Sequence, residues 1–334
     1  IRTQAKENLP VYAAASGYIA KIGIRSQSFG RFIVINHPNG LSTLYGHLND
    51  FYPELEAWVT AQQYAQESWA VELDIPKEKF PVSKGTFIAY SGNTGGSQGP
   101  HLHFEIIDTK TTKRLNPLLF GFPVADNVPP ALIKLAVYDR SRSVYEQSPR
   151  YYPLKSTDSG YIIPKLPVMQ TGLNTISFAI QAYDRVSGST NPNGVYSSLL
   201  FLDDKPQVAF VIDSVDYNET TFMNAHIDYR LKYNGGGWLQ HLSVMPGDVG
   251  PVYKRFNGND GVIRLTDTLL HTVKVEVSDA NGNLSTIRFQ LQYNDSLAKP
   301  VYRQPDAFYF APRLAVRLSK PDFQLSMAEG SVYD

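Results

Sequence analysis

A glycine-rich loop that runs straight into an alternating histidine strand constrains this chain more than any other feature. The stretch reads Gly92-Asn93-Thr94-Gly95-Gly96-Ser97-Gln98-Gly99-Pro100-His101-Leu102-His103-Phe104-Glu105-Ile106. In a strand, residues i, i+2 and i+4 share a face, so His101, His103 and Glu105 point one way while Leu102, Phe104 and Ile106 face a core. Two imidazoles side by side suit shared metal ligation, or one ligand beside one acid/base group. The glycines before them let a substrate backbone approach closely.

Three further segments precede this one in a fixed order. They are Val11-Tyr12-Ala13-Ala14-Ala15-Ser16-Gly17-Tyr18, then Arg31 to Leu48 with Leu44-Tyr45-Gly46-His47-Leu48 at its end, then Val82-Ser83-Lys84-Gly85-Thr86-Phe87-Ile88-Ala89-Tyr90-Ser91. The ordered series resembles the M23 (LytM-type) zinc metallopeptidases over roughly residues 1 to 122. That resemblance implies a mainly β fold built on antiparallel sheet and a zinc endopeptidase acting on peptide cross-links of bacterial peptidoglycan.

Carried over residue by residue, the resemblance makes His103 a zinc ligand, with His101 and His47 as catalytic histidines that orient the attacking water and stabilise the oxyanion. Zinc would supply a Lewis acid and lower the pKa of that water. Tyr45, Asn93, Thr94, Ser97 and Gln98 are candidates for holding the peptide, and Tyr45 could either help bind it or simply pack. Glu105 either steadies a histidine from behind or is a solvated residue at the lip of the cleft. The family's other two ligands form a His-x-x-x-Asp motif just before the segment that aligns with Ile1 to Ala13. A catalytic zinc takes three protein ligands, and the residues given offer one of them. Two expectations compete: a fragment whose preceding residues carry the His and Asp, or a non-catalytic relative that serves as a binding, regulatory or scaffold subunit of a cell-envelope assembly.

The 31 basic and 31 acidic residues balance, which leaves no electrostatic footprint for nucleic acid or an anionic membrane. No run of about 18 apolar residues marks a transmembrane segment. Zero cysteines remove disulfides from the argument. The resemblance implies a cell-envelope location, periplasmic or exported.

At 334 residues, several domains are expected. Residues 1–125 form the peptidase-like domain. Within it Pro38-Asn39-Gly40 reads as a hairpin turn, and residues 53–68 read as a helix from Pro53, the early acids Glu54 and Glu56, and strong helix formers. That helix either walls one side of the cleft or packs on the surface. Residues 126–206 and 207–295 read as two immunoglobulin-like β-sandwich modules, divided at Asp203-Asp204-Lys205-Pro206 and open to an envelope protein partner. In each, an alternating strand is expected to turn back on itself: Ile176–Asp184 with Val195–Phe201, and Val273–Ser278 with Leu284–Leu291. Residues 296–334 read as the start of a further segment, with a strand from Ala311 to Leu318 that the chain does not complete.

Other polar features read more simply. His37 is a hairpin residue at the cleft edge, and His226, His241 and His271 are ordinary surface or half-buried histidines. Asp279-Ala280-Asn281-Gly282-Asn283 has alternating oxygens as in calcium loops but lacks the closing acid, so it reads as a tight turn. Nothing specific in the Asp184–Asn193 turn marks a ligand.

Overall fold

The computed structural model describes residues 1–298, 308, 310, 314–329 and 331. The chain divides into two units: residues 1–120 with 214–217, and residues 121–213 with 218–334.

In the first unit the strands are β1 (Pro10–Tyr12), β2 (Gly17–Ile24), β3 (Arg31–Asn36), β4 (Leu41–Phe51), β5 (Val71–Asp74), β6 (Pro81–Val82), β7 (Phe87–Ser91), β8 (His103–Asp108) and β9 (Arg114–Leu115). The central run is β9-β8-β4-β3-β2-β5, and β7 joins both β1 and β4. All these pairings are antiparallel. The hairpin turn falls where expected, with Gly40 in the left-handed region at φ 81° and the Asn39 side chain accepting from Leu41 N. Alternation in β3 sorts side chains to two faces: Ile33 and Ile35 enter the main core with Ile19, Ile22 and Tyr45, while Phe32 joins Leu44 and Ile107 in a smaller cluster on the other face.

The helix α1 covers Pro53–Ala65, with proline in its first turn beside Glu54 and Glu56. It buries Leu55 and Val59 in the main core. Its Glu56 pairs with Arg31 and accepts from Phe51 N, so the helix is tied to the sheet by charge as well as by apolar area.

The second unit contains β10 (Ala131–Asp139), β11 (Arg150–Pro153), β12 (Lys155–Thr157), β13 (Gly160–Ile162), β14 (Val168–Thr171), β15 (Thr175–Tyr183), β16 (Ser197–Leu202) and β17 (Lys205–Val211). The chain then returns to the first unit for β18 (Ser214–Val215), which pairs there with β9, and the second unit continues with β19 (Leu239–His241), β20 (Tyr253–Arg255), β21 (Ile263–Arg264), β22 (His271–Ser278) and β23 (Leu284–Tyr293). One sheet runs β11-β10-β15-β19 and the other β12-β13-β23-β22-β16-β17-β20. Two short strands, β24 (Val316–Lys320) and β25 (Phe323–Met327), form a hairpin of their own. The start of the strand expected from Ala311 lies outside the described residues.

Two expectations need correction here. The division at residues 203–206 falls inside a hairpin: β16 and β17 are antiparallel neighbours, and β16 pairs on its other side with β22. One core takes Leu135, Phe178, Leu200, Phe210, Val275 and Ile287 from strands on both sides of that point, so residues 126–295 do not pack as two separate modules. The second correction concerns Ile176–Asp184 and Val195–Phe201, which do not return on each other. β15 pairs with β10 and β19 in one sheet and β16 lies in the other; an isolated Asp184–Asn193 bridge closes the turn that follows β15. By contrast β22 and β23 form the expected hairpin, in register from His271–Leu291 to Ser278–Leu284.

Candidate active site

β4 changes partners at His47, and that change builds the site. Its ladder with β8 ends at Gly46–His103, and its ladder with β7 starts at Leu48–Ser91. Between them His47 takes φ 60°, a left-handed conformation that is strained for a non-glycine residue. Its N–H leaves the ladder to bond Phe29 O at 2.8 Å. Gly46 permits the approach, since a Cβ there would meet the His103 Cβ at 3.3 Å.

The glycine-rich loop is clamped against the β2–β3 turn. Gly95, at φ 72°, has no room for a side chain: a Cβ would lie 2.3 Å from Gly30 N. Gly96 N donates to Ser28 O at 2.9 Å, while the Thr94 hydroxyl donates to Leu48 O at 2.9 Å and accepts from Arg31 N at 3.0 Å. This leaves the Thr94 carbonyl 2.7 Å from His47 Nδ1. At the far end of the loop, Gly99 O lies 2.8 Å from His101 Nδ1, and Ser97 Oγ donates to the same carbonyl at 2.7 Å.

His47, His101 and His103 converge, with one ring nitrogen of each within 4.8 Å of the others. Each ring is oriented by its second nitrogen. Carbonyl acceptors on His47 and His101 Nδ1 require the proton there and leave Nε2 with its lone pair. His103 is reversed: its Nε2 donates to Glu105 Oε1 at 2.9 Å, which leaves Nδ1. The ring of His103 rests on Phe29, 4.9 Å between centroids, while Leu102 and Phe104 turn into the main core. A donor set of three imidazole nitrogens fits zinc, copper, iron or nickel.

Glu105 is 7% exposed and accepts from Tyr217 Oη at 2.5 Å on the oxygen that holds His103, and from Arg114 Nε at 3.1 Å on the other. Burial alone would raise its pKa. The bonds from His103 and Tyr217 and the Arg114 charge outweigh that and hold the carboxyl below its ordinary value. For His47 the direction is also down: burial dominates, the bond to Thr94 opposes it, and the neighbouring imidazoles add to it. The shift favours the neutral imidazole of His47.

The remaining sequence candidates separate by environment. Tyr45 is 2% exposed and its hydroxyl bonds Ala14 N and Thr43 Oγ1, so it has no surface to offer a substrate. Asn93 and Gln98 are exposed on the loop, whereas Ser97 is half-buried against His101. His37 is fixed in its hairpin by Ser16 O and Thr43 Oγ1. His226 and His241 are fully buried rather than surface or half-buried, and His271 sits between Asp203 and Asp267. Sequence reading missed Phe29, Arg114 and Tyr217. Arg114 stacks on the Tyr217 ring at 4.0 Å, yet the two lie over a hundred residues apart, and no local pattern links them.

Residues 1–67 and 63–117 match the model of peptidase family M23, which identifies an M23 peptidase domain in the first unit. An uncharacterized metalloprotease of Haemophilus influenzae is 32% identical over 35% of this chain and 19% of its own length. DD-carboxypeptidase/endopeptidase Mpg of Neisseria meningitidis is 35% identical over 30% and 18%, and peptidoglycan DD-endopeptidase ShyA of Vibrio cholerae 30% over 36% and 22%. The chain thus spans about a fifth of the length of the curated relatives it matches. Among solved structures, the catalytic domain of lysostaphin from Staphylococcus simulans is 25% identical over 34% of this chain and 71% of its own, at a TM-score of 0.25. At that score the sequence matches, not the superposition, bear the comparison.

Proposed function

We propose that this chain carries a peptidoglycan endopeptidase site of the M23 type, working in the cell envelope on the peptide cross-links of the wall. The observation that carries the reading is the convergence of three imidazoles, each with its second nitrogen held by a carbonyl or carboxylate. His103 would take part in holding zinc through Nδ1, with the Glu105 carboxylate fixing its tautomer and raising its basicity as a ligand. When bound, zinc supplies a Lewis acid for the scissile carbonyl and makes its water a nucleophile near neutral pH.

The chain's own histidines do the rest. His101 and His47 each present Nε2 beside the other, with rings 4.7 Å apart. A free Nε2 lone pair accepts a proton from water, and the resulting N–H donates to the oxyanion that forms at the carbonyl. Thr94 and Gly99 hold the rings in the tautomers this requires, so part of the glycine-rich loop acts by positioning. Asn93 and Ser97 face a peptide along the loop with side-chain hydrogen-bonding groups.

The test uses the full-length gene product, loaded with zinc and incubated with purified sacculi. Wild type should release soluble muropeptides and His101→Ala should not. Equal release by both sinks the peptidase reading. Zinc content measured on the same samples should fall in His103→Ala and hold in His101→Ala; the reverse would refute the division of roles.

A further inference from the structure

Away from the histidines, the second unit gathers three carboxylates from distant points in the chain. Asp126 lies before β10, Asp184 follows β15 and Asp279 follows β22. One oxygen of each lies within 4.8 Å of the other two. Asp279 and Asp184 are 4% and 3% exposed, so water cannot dilute their repulsion as it does at a surface.

Much of this cluster is locally satisfied. Asp126 Oδ1 accepts from the N–H of Val128 and from the N–H and hydroxyl of Ser187. Asp279 Oδ1 accepts from Asn281 N and Asn283 N, the tight turn expected from the sequence, and its Oδ2 from Asn283 Nδ2. Asp184 is different. Its Oδ1 is buried without a hydrogen-bond partner and belongs to a carboxylate aimed into the cluster. A buried carboxylate oxygen with no donor has lost its water without replacement, a cost that a bound cation removes. Burial outweighs a backbone hydrogen bond from Arg185 and, with the Asp279 and Asp126 charges behind it, pushes the Asp184 carboxyl up to about 6.

Other oxygens are at hand. Asn281 and Asn283 reach the carbonyls of Val124 and Asp126 at 3.3 and 3.2 Å, so backbone oxygens of the 124–126 segment border the same space. Carboxylate and carbonyl oxygens, with no imidazole among them, are the donors of a hard cation. Magnesium demands near-ideal octahedral geometry and keeps its waters, whereas calcium accepts irregular cages with several carboxylates.

We propose that Asp126, Asp184 and Asp279 form a calcium site that pins the 124–128 segment to the ends of β15 and β22. Its closing acid is not the next one in sequence after Asn283; it comes from Asp126 and Asp184, which the fold delivers.

The experiment uses the 334-residue chain, stripped with EGTA and titrated with CaCl2 by calorimetry, with MgCl2 in a parallel cell. Saturable binding near one calcium per chain is expected, with a Tm that rises with calcium concentration. Asp184→Asn should weaken binding at least tenfold. Asp126→Asn, at the less buried position, should do the same in a chain whose circular dichroism matches wild type, which guards against a folding defect in the first variant. Three outcomes overturn the proposal: no saturable binding up to about 5 mM, beyond the weak end of extracellular calcium modules; magnesium binding as tight as calcium; or unchanged affinity in both variants.

Discussion

Replacing Glu105 with glutamine changes one atom in a site where three donors meet a single carboxylate. His103 Nε2 and Tyr217 Oη donate to Oε1, and Arg114 Nε donates to Oε2. An amide has one acceptor oxygen. With that oxygen toward His103 and Tyr217, its NH2 faces Arg114 and breaks the ion pair. Arg114 keeps a bond to Thr112 O and its side chain is 26% exposed, so water partly replaces the loss, which is about 1–1.5 kcal/mol. The other two bonds pass from charge-assisted to neutral and lose roughly half their strength, about 0.5–1 kcal/mol each. Burying a neutral amide in place of a charge returns about 1 kcal/mol. The net expectation is a destabilisation of about 2 kcal/mol, or about 30-fold in the folding equilibrium. Urea unfolding followed by Trp58 and Trp69, with Trp238→Phe as background, reads the first unit by itself. Tyr217→Phe should cost less, about 1 kcal/mol, and the double variant should show coupling of at least 0.5 kcal/mol. A Glu105→Gln protein within 0.5 kcal/mol of wild type would refute the view that this carboxylate organises the back of the site.

Gly95→Ala should destabilise the first unit by more than about 2 kcal/mol, since a left-handed alanine adds a backbone clash to its steric penalty; urea midpoints check it, and a neutral result would mean the loop is not clamped. At position 47, glycine should be more stable than alanine by about 0.5–1 kcal/mol although both lose the imidazole, because only alanine bears the φ 60° strain; equal stability would remove the strain argument. His226 is 1% exposed, with its pKa lowered to about 3 by burial and then by His241. Its unfolded form takes a proton below about 6.5 while its folded form refuses one, so stability is full at neutral pH and falls as pH drops. The His226 contribution at pH 5 is about 2 kcal/mol, read as the difference between wild type and His226→Gln in Trp238-monitored unfolding at pH 7 and 5, so that titrations common to both proteins cancel.

Much of the first unit was legible because its signals are local. The turn at Pro38-Asn39-Gly40, the Pro53 helix start and the alternation through His101, His103 and Glu105 each depend on a few adjacent residues and on fixed backbone periods. Chemistry of the same reach was legible too: His-x-His announces a donor pair wherever the strand lies. The Asp279–Asn283 turn was equally readable as a turn.

What the sequence could not decide were matters of pairing between distant segments. Period-two alternation says that Ile176–Tyr183 and Ser197–Leu202 are strands but not which neighbours they take, and packing put them in different sheets around one core. Left-handed His47 follows from β4 exchanging β8 for β7, a choice made by the whole sheet. The Tyr217–Glu105–Arg114 contacts and the meeting of Asp126, Asp184 and Asp279 span tens to over a hundred residues, and side chains so far apart acquire a common environment only when the sheets are assembled. Strand by strand the sequence alone determined residue type and period; which charges share a buried space, and so which are costly enough to need a partner, was settled by tertiary structure.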